Sequence, residues 1–357
     1  MTTAPTRLRI AVLFGGRSAE HEVSVLSATN VMRALDPARY DVVPIFITRS
    51  GEWLLSSFAD GTPATPAEGT RLALVPGGNG RLIALPATGT PHELPPVDVL
   101  FPVLHGLPGE DGAVQGLADV AGLPLVGCGI LGSATALDKV IAKRLLVEAG
   151  LPAARSVTLR AGAIPAFAEL TATLGLPLFV KPARQGSSVG VSKVSDEADY
   201  GAALAEGFRH DSVLLAEEFI NGREIECAVL EAPDGSLVVS RPGEIAPAAS
   251  HGFYSYDAKY IDADGAVLTV PAALSPADEA TLRGLAAKAF TALGCDGMAR
   301  VDFFVTPDMR MLVNELNTIP GFTNISMYPK MMEVSGIPYP ELIDRLVAHG
   351  LARAGKA

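Results

Sequence analysis

A five-residue apolar run at residues 10–14 stops at Gly15-Gly16, is followed by apolar positions at helical spacing over 18–35, and gives way to a second apolar run at 40–47. Short continuous apolar runs read as strands buried on both faces, as parallel sheets require. Strand, glycine turn, helix and strand make a βαβ unit with a right-handed crossover. The chain therefore opens with an α/β open sheet. Residues 97–104 resume as a buried strand running into His105-Gly106. Between them, residues 50–96 are rich in Gly and Pro, with strand-like pieces at 71–75 and 81–85, and read as a surface insertion of hairpins.

At 357 residues the chain is long enough for two or three domains, taking roughly 150 residues for each. Ser133 can cap a helix over 133–150, with Leu137, Val140, Ile141 and Leu145 as its apolar stripe and Gly150 and Pro152 as its stop. Strands are expected at 176–181, 189–194 and 213–220, and a hairpin of 225–231 with 237–240 closes at Asp234-Gly235. Residues 242–270 are long, polar and aromatic, which suits a lid. A helix at 276–293, a hairpin of 299–305 with 310–317 and a helix at 340–350 complete the chain, giving α+β character to its central and C-terminal parts. The expected domains are 1–132, 133–231 and 232–357.

Lys and Arg number 28 against 39 Asp and Glu, a formal charge of −11, which disfavours nucleic acid and anionic membranes as partners. Apolar residues make up 48%, too many for disorder. Cys128, Cys227 and Cys295 form no C-x-x-C pair, which argues against disulfides or zinc and fits a reducing compartment. The first apolar run is too short for a signal peptide. Residues 120–137 carry no charge over 18 positions but hold four glycines and a proline, so they read as strand, loop and helix start rather than a membrane span. The expected location is the cytoplasm.

Several constellations could carry chemistry. Gly127-Cys-Gly129-Ile-Leu-Gly132 is a literal dinucleotide fingerprint, which makes an NAD-dependent oxidoreductase a rival reading. The acidic partner expected about 20 residues later is lacking, since only Glu148 is near and it falls inside the expected helix. Lys181-Pro-Ala-Arg184-Gln-Gly186-Ser187-Ser188-Val-Gly190 puts a strand-end lysine before a Gly/Ser loop that can wrap a phosphate or be a plain hairpin loop. In Arg300-Val-Asp302 and Leu312-Val-Asn314-Glu315-Leu-Asn317, a four-residue hairpin loop at 307–310 sets Asp302 opposite Glu315. Period 2 then groups Arg300, Asp302, Glu315 and Asn317 on one face, as hard oxygen ligands for Mg²⁺ or as a solvated salt-bridged face. Glu217-Glu218-Phe219-Ile220 with Glu224 is either a charged strand end or a nucleobase contact. Glu20 and Glu22 can complement a helix dipole. His105, followed by Gly109-Glu110-Asp111-Gly112, marks a cleft rim or a structural turn.

These pieces occur in one order: Gly15-Gly16-x-Ser18-x-Glu20, His105-Gly106-x-x-Gly109-Glu110-Asp111-Gly112, Asp138-Lys139, Lys181-Pro through Gly190, Tyr256-Asp-Ala-Lys259-Tyr260, Arg300-x-Asp302, and Glu315-x-Asn317-Thr-x-Pro320-Gly321. Over residues 9–349 the ordered set resembles the D-alanine–D-alanine ligase family of the ATP-grasp superfamily. The resemblance implies three domains, ATP gripped between the last two, and an acyl phosphate intermediate in dipeptide synthesis for the cell wall. It implies phosphate contacts by Lys139 and Lys181, a covering loop at Ser187 and Ser188, and adenosine contacts by Glu217, Glu218, Phe219, Ile220, Glu224 and Lys259. By the same resemblance, Asp302, Glu315 and Asn317 hold two Mg²⁺, or Mn²⁺ in their place. Glu20 and His105 bind the first D-alanine and Ser326 and Met327 the second. Arg300 and the Gly321 N–H hold the oxyanion, and Tyr260 joins Glu20 and Ser187 in one network. D-alanine and ATP are the implied partners, and the acidic surface with its exposed insertion permits a homodimer. A catalytically silent ATP-binding relative is a third class.

Overall fold

The structure, a computed structural model, describes residues 7–247 and 266–355. Tyr256, Lys259 and Tyr260, with most of the expected lid, lie outside the described residues.

Leu8–Gly15 pairs in parallel with Tyr40–Ile47 on one side and Val99–Pro102 on the other. Its central residues, from Ile10 to Phe14, are fully buried, as an apolar run covered on both faces must be. The crossover helix begins at His21 and runs to Ala34, later than the expected 18, because residues 15–20 are spent on the turn. Gly15 and Gly16 have φ of +91° and +102°, and a Cβ on Gly15 would lie 2.4 Å from the Ile47 carbonyl oxygen. The insertion is more than surface hairpins. Trp53–Leu55, Arg71–Leu74, Leu82–Leu85 and His92–Leu94 extend the same sheet to seven strands in antiparallel fashion, burying Leu54, Leu72 and Leu82.

The expected single helix over 133–150 is two helices, Ile130–Leu137 and Lys139–Glu148. Asp138 breaks the run: its backbone is extended and its carboxylate caps the second helix at Val140 N and Ile141 N, 3.0 and 3.2 Å away. Ser133, the expected cap, is buried inside the first of them. The rival dinucleotide reading fails on the same helix. A Cβ on Gly132 would meet Cys128 Sγ at 2.5 Å and Cys295 Cα at 2.6 Å, so this glycine serves close packing against the C-terminal part. The three cysteines are free and buried.

Two further sheets follow. Ser156–Arg160, Val213–Glu218, Leu178–Pro182 and Ser192–Val194 form a four-stranded antiparallel sheet in that order. Leu170 and Leu174 of the helix Phe167–Leu174, and Tyr200 and Ala203 of Glu197–His210, share its core. The next sheet has the order Ala266–Thr269, Gly243–Pro247, Arg223–Glu231, Met298–Val305, Met311–Asn317, with Leu237–Val239 also on Arg223–Glu231. The strand Arg223–Glu231 thus belongs to the C-terminal sheet, and the sheets change at 219–222, ahead of the cut expected at 231. Pro276–Ala292 packs on this sheet through Leu282, Ala286 and Phe290. Met327–Val334 and Tyr339–Arg353 return to the N-terminal sheet, so that Tyr328, Leu342 and Leu346 share one core with Ile10, Val12 and Phe101. Among the described residues no helix is long and apolar enough to cross a membrane.

Candidate active site

The central sheet brings its charges together through alternation and helix spacing. Lys181 ends one strand and Glu217 lies on its neighbour, while Lys143 reaches them from the helix Lys139–Glu148. Both ammonium groups pair with the Glu217 carboxylate, and only 5% of that side chain is exposed. Burial alone would raise the Glu217 carboxyl, but Lys181 and Lys143 outweigh it and hold it below the usual range. Burial lowers Lys143 despite Glu217. One turn before Lys143, Lys139 donates to the Gln185 carbonyl at 2.7 Å and lies 3.6 Å from Glu315 of the C-terminal sheet.

Gln185 opens the Gly/Ser loop. Ser187 and Ser188 have φ of 50° and 60°, a conformation non-glycine residues seldom adopt, which marks a loop held by its surroundings. One such hold is the Ser187 hydroxyl, which donates to Glu20, 167 residues away at the start of the first helix. Gly106 and Gly186 crowd the same carboxylate: a Cβ on either would come within 3.6 or 3.4 Å of Glu20 Oε2.

On the C-terminal sheet, Asp302 lies opposite Glu315 and Arg300 opposite Asn317. The route to that register differs from the expected one. The connection runs over 306–310, five residues rather than four, and a bulge at Asn314 restores the pairing beyond it. Arg300 makes two 2.7 Å bonds to Asp302 and lies 3.1 Å from Glu226, and Asn317 Nδ2 donates to Asp302 at 3.0 Å. Burial disfavours the guanidinium charge, yet Asp302 and Glu226 raise its pKa well above the ordinary value. Two carboxylates and an amide side chain on one face of two paired strands are a hard-oxygen donor set that fits Mg²⁺.

The remaining expected residues fall around this centre. Glu218 accepts the backbone N–H and the guanidinium of Arg155, both at 2.7 Å, and its own N–H donates to the Arg155 carbonyl at 3.0 Å, so it braces the strand end. Phe219 is exposed, 6.1 Å from Phe179 and with Lys193 over its ring, and Ile220 follows it. Glu224 lies on the same face of its strand as Glu226. Ser326 precedes the helix Met327–Val334, and its hydroxyl accepts the Thr323 N–H at 2.9 Å. The Met327 side chain is buried against Gly243, which leaves its backbone N–H at the helix start. A Cβ on Gly321 would strike Ser326 Oγ at 2.6 Å. His105 is buried between Ser27 and the Ile319 carbonyl. Lys143 and Glu226 escaped the sequence reading, and Glu110 stood in a quoted motif without a role of its own. Spacing held a signal for the first two, at i+4 from Lys139 on a helix and i+2 from Glu224 on a strand.

A sheet with inward lysines and a Gly/Ser loop, tied through Lys139 to a second sheet bearing opposed carboxylates, defines an ATP-grasp enzyme. The family profile for the D-ala D-ala ligase N-terminus matches residues 9–128, and that for the D-ala D-ala ligase C-terminus matches 145–348. The chain is 65% identical over 350 residues to D-alanine--D-alanine ligase A of Brucella melitensis, covering 98% of this chain and 99% of the relative. It is 58% identical to D-alanine--D-alanine ligase A of Mesorhizobium japonicum, covering 97% and 98%. Among solved structures, the D-alanine-D-alanine ligase of Coxiella burnetii matches with TM-score 0.84 at 36% identity, covering 98% of this chain and 95% of that one. The VanG D-Ala:D-Ser ligase of Enterococcus faecalis matches with TM-score 0.83, also at 36% identity, covering 97% and 100%. The chain belongs to the D-alanine–D-alanine ligase family.

Proposed function

We propose that the chain joins two D-alanine molecules with ATP, through an acyl phosphate, to make the dipeptide used in peptidoglycan precursors. The observation that carries this reading is the position of Lys139, whose ammonium stands between the Gln185 carbonyl of the phosphate-type loop and Glu315 of the acidic hairpin. One cation so placed can balance charge on a phosphoryl group that moves between loop and hairpin.

The first D-alanine's ammonium is taken by Glu20, with His105 nearby, and the Ser187 hydroxyl on Glu20 ties the covering loop to that substrate. Lys139 and Lys181 meet the phosphates while Ser188 covers them. The adenosine lies along Phe219, with Glu217, Glu218, Ile220 and Glu224 around it, and the family resemblance adds Lys259, which lies outside the described residues. Asp302, Glu315 and Asn317 would hold two Mg²⁺, for which Mn²⁺ can substitute, and ions bound there would offset charge on the transferred phosphoryl group. The second D-alanine's carboxylate sits at Ser326 and the Met327 N–H, at the start of a helix where the backbone favours an anion. Its amine attacks the acyl carbon. Arg300 and the Gly321 N–H hold the oxyanion that forms, and phosphate leaves. The family resemblance assigns Tyr260 to the network of Glu20 and Ser187, and that residue lies outside the described residues. The reaction belongs in the cytoplasm, where ATP and free D-alanine meet. The test is phosphate release from ATP by purified protein with Mg²⁺. Release is expected only with D-alanine, and D-alanine-independent release or none at all would overturn the reading.

A further inference from the structure

The segment 318–323, which carries Gly321, is gripped mainly by side chains of the N-terminal sheet and its first helix. The Phe322 N–H donates to Ser27 Oγ at 3.1 Å, Ser27 Oγ lies 3.4 Å from His105 Nε2, and His105 Nδ1 lies 3.1 Å from the Ile319 carbonyl oxygen. The directions are forced. A carbonyl only accepts, so His105 Nδ1 carries a proton. Burial disfavours the imidazolium, so Nε2 is bare and accepts the proton of the Ser27 hydroxyl, whose oxygen in turn accepts the Phe322 N–H. The result is a closed circuit that leaves 318–323 at one backbone group and returns to it three residues away. Ser27 is fully buried and has no solvent to replace these bonds.

Two other contacts hold the same stretch from outside the circuit. Asn30 Nδ2 and the Tyr339 hydroxyl both donate to the Phe322 carbonyl, at 3.1 and 3.0 Å. The Glu110 carboxyl accepts the Gly106 N–H at 2.7 Å and the Ile319 N–H at 3.4 Å. The backbone is therefore fixed on both sides of Gly321.

We infer that Ser27 is a positioning residue for ligation, closing with His105 the circuit that aims the Gly321 N–H at the oxyanion. This rests on the role proposed above for Gly321. Ser27 touches no reacting atom, and it acts by sparing the loop any rearrangement when charge develops.

The experiment compares wild-type protein with Ser27→Ala and Asn30→Ala, reading hydrogen–deuterium exchange over 318–323, kcat for D-alanine-dependent phosphate release, and KM for ATP. In Ser27→Ala, exchange at Phe322 should rise about tenfold or more and kcat should fall about 10- to 100-fold with KM for ATP within about twofold, the size expected when a reacting geometry slips by about an ångström. Asn30→Ala should cost much less, because Tyr339 still serves the same carbonyl. Unchanged exchange in Ser27→Ala, raised exchange with wild-type kcat, or an equal loss in Asn30→Ala would each overturn the inference. The ligase reading has its own control. Wild-type protein that releases no phosphate with D-alanine overturns both, whereas wild-type turnover with an unaffected Ser27→Ala overturns the positioning role alone.

Discussion

The two sheets that meet at Lys139 use the same kinds of side chain in opposite proportion. On the central sheet one carboxylate, Glu217, lies between two ammonium groups, Lys143 and Lys181. On the C-terminal sheet one guanidinium, Arg300, lies between two carboxylates, Asp302 and Glu226, with Glu315 beside them. Burying charges is costly unless they are paired, so each cluster contains its own partners. The surplus left over has opposite sign on the two sides, cationic on the central sheet and anionic on the C-terminal sheet, which matches the phosphates and metal ions of the proposed function. A ligand that carries both, a nucleotide with its divalent cations, completes the two at once. The comparison teaches that the site is built as complementary half-sites, each too highly charged to be an ordinary packed interior.

The largest way to break this contrast is to remove anionic charge from the C-terminal side. Glu315→Gln should lower D-alanine-dependent phosphate release by about 10²- to 10³-fold, the loss typical of a missing electrostatic element of a transition state. About a quarter of that side chain is exposed, so the stability change should stay within about 1 kcal/mol. Near-normal turnover at ordinary Mg²⁺ would show the opposed carboxylates to be structural.

The converse change belongs to the central side. Glu217→Gln leaves Lys143 and Lys181 buried without their shared carboxylate and should destabilise the protein by about 3–5 kcal/mol, as when one partner of a buried pair is deleted. KM for ATP should rise as the lysines move apart. The pH dependence has a definite sign. The Glu217 carboxyl is held below its usual range, so its contribution is present above the unfolded-state value and is lost as pH falls through the lower folded-state value. Urea titrations at pH 7 and pH 4 should show the gap between wild type and variant narrowing in acid. A gap that stays constant would mean Glu217 does not act through its charge.

Much of this was legible in advance, for reasons that differ between the regions. The hairpin register could be read from alternation because a buried apolar face tolerates no slip of one residue. The right pairing was nevertheless reached with the wrong loop, since the five-residue connection and the bulge at Asn314 offset one another. The split at Asp138 was hidden because the apolar stripe continues across it, and only the extended backbone reveals a second cap. Lys143 and Glu226 look like solvated charges at their positions, and they become buried partners only once three distant elements converge. The grip on 318–323 by Ser27 and His105 could not be read at all, because it joins residues far apart in sequence through backbone atoms. Glu20 and Ser187 were paired in advance only through the family resemblance.

That pair gives the next smaller effect. Ser187→Ala and Glu20→Ala each remove one end of a single hydrogen bond between the covering loop and the first helix. The double variant should therefore cost less in kcat/KM than the two singles together, with a coupling of about 1–2 kcal/mol. Strict additivity, measured as a double-mutant cycle, would mean that the loop and the helix act separately.

The smallest expected effect sharpens the comparison by adding a third carboxyl. Glu217 is buried and Glu110 is partly so, yet their pKa values move in opposite directions. Two ammonium groups hold Glu217 down, whereas burial, helped by the nearby Glu20 carboxylate, raises Glu110 to about 8 against the weaker pull of the Gly106 and Ile319 N–H groups. A carboxyl raised in the folded state contributes stability that is complete below its unfolded-state value, near 4.3 for a model Glu. That contribution is lost as pH rises through about 8, and above that value no more is lost. Glutamine has the shape of the protonated acid and cannot ionise. Glu110→Gln should therefore be slightly less stable than wild type at pH 5, where the neutral acid already makes its bonds. The order should invert by pH 9, with a total swing of about 1–2 kcal/mol once relaxation and water entry are allowed for. Thermal unfolding at half-unit steps from pH 5 to 9 measures it. Parallel curves for the two proteins would mean that Glu110 is ionised throughout, and that its burial is compensated by a cation as fully as Glu217's is.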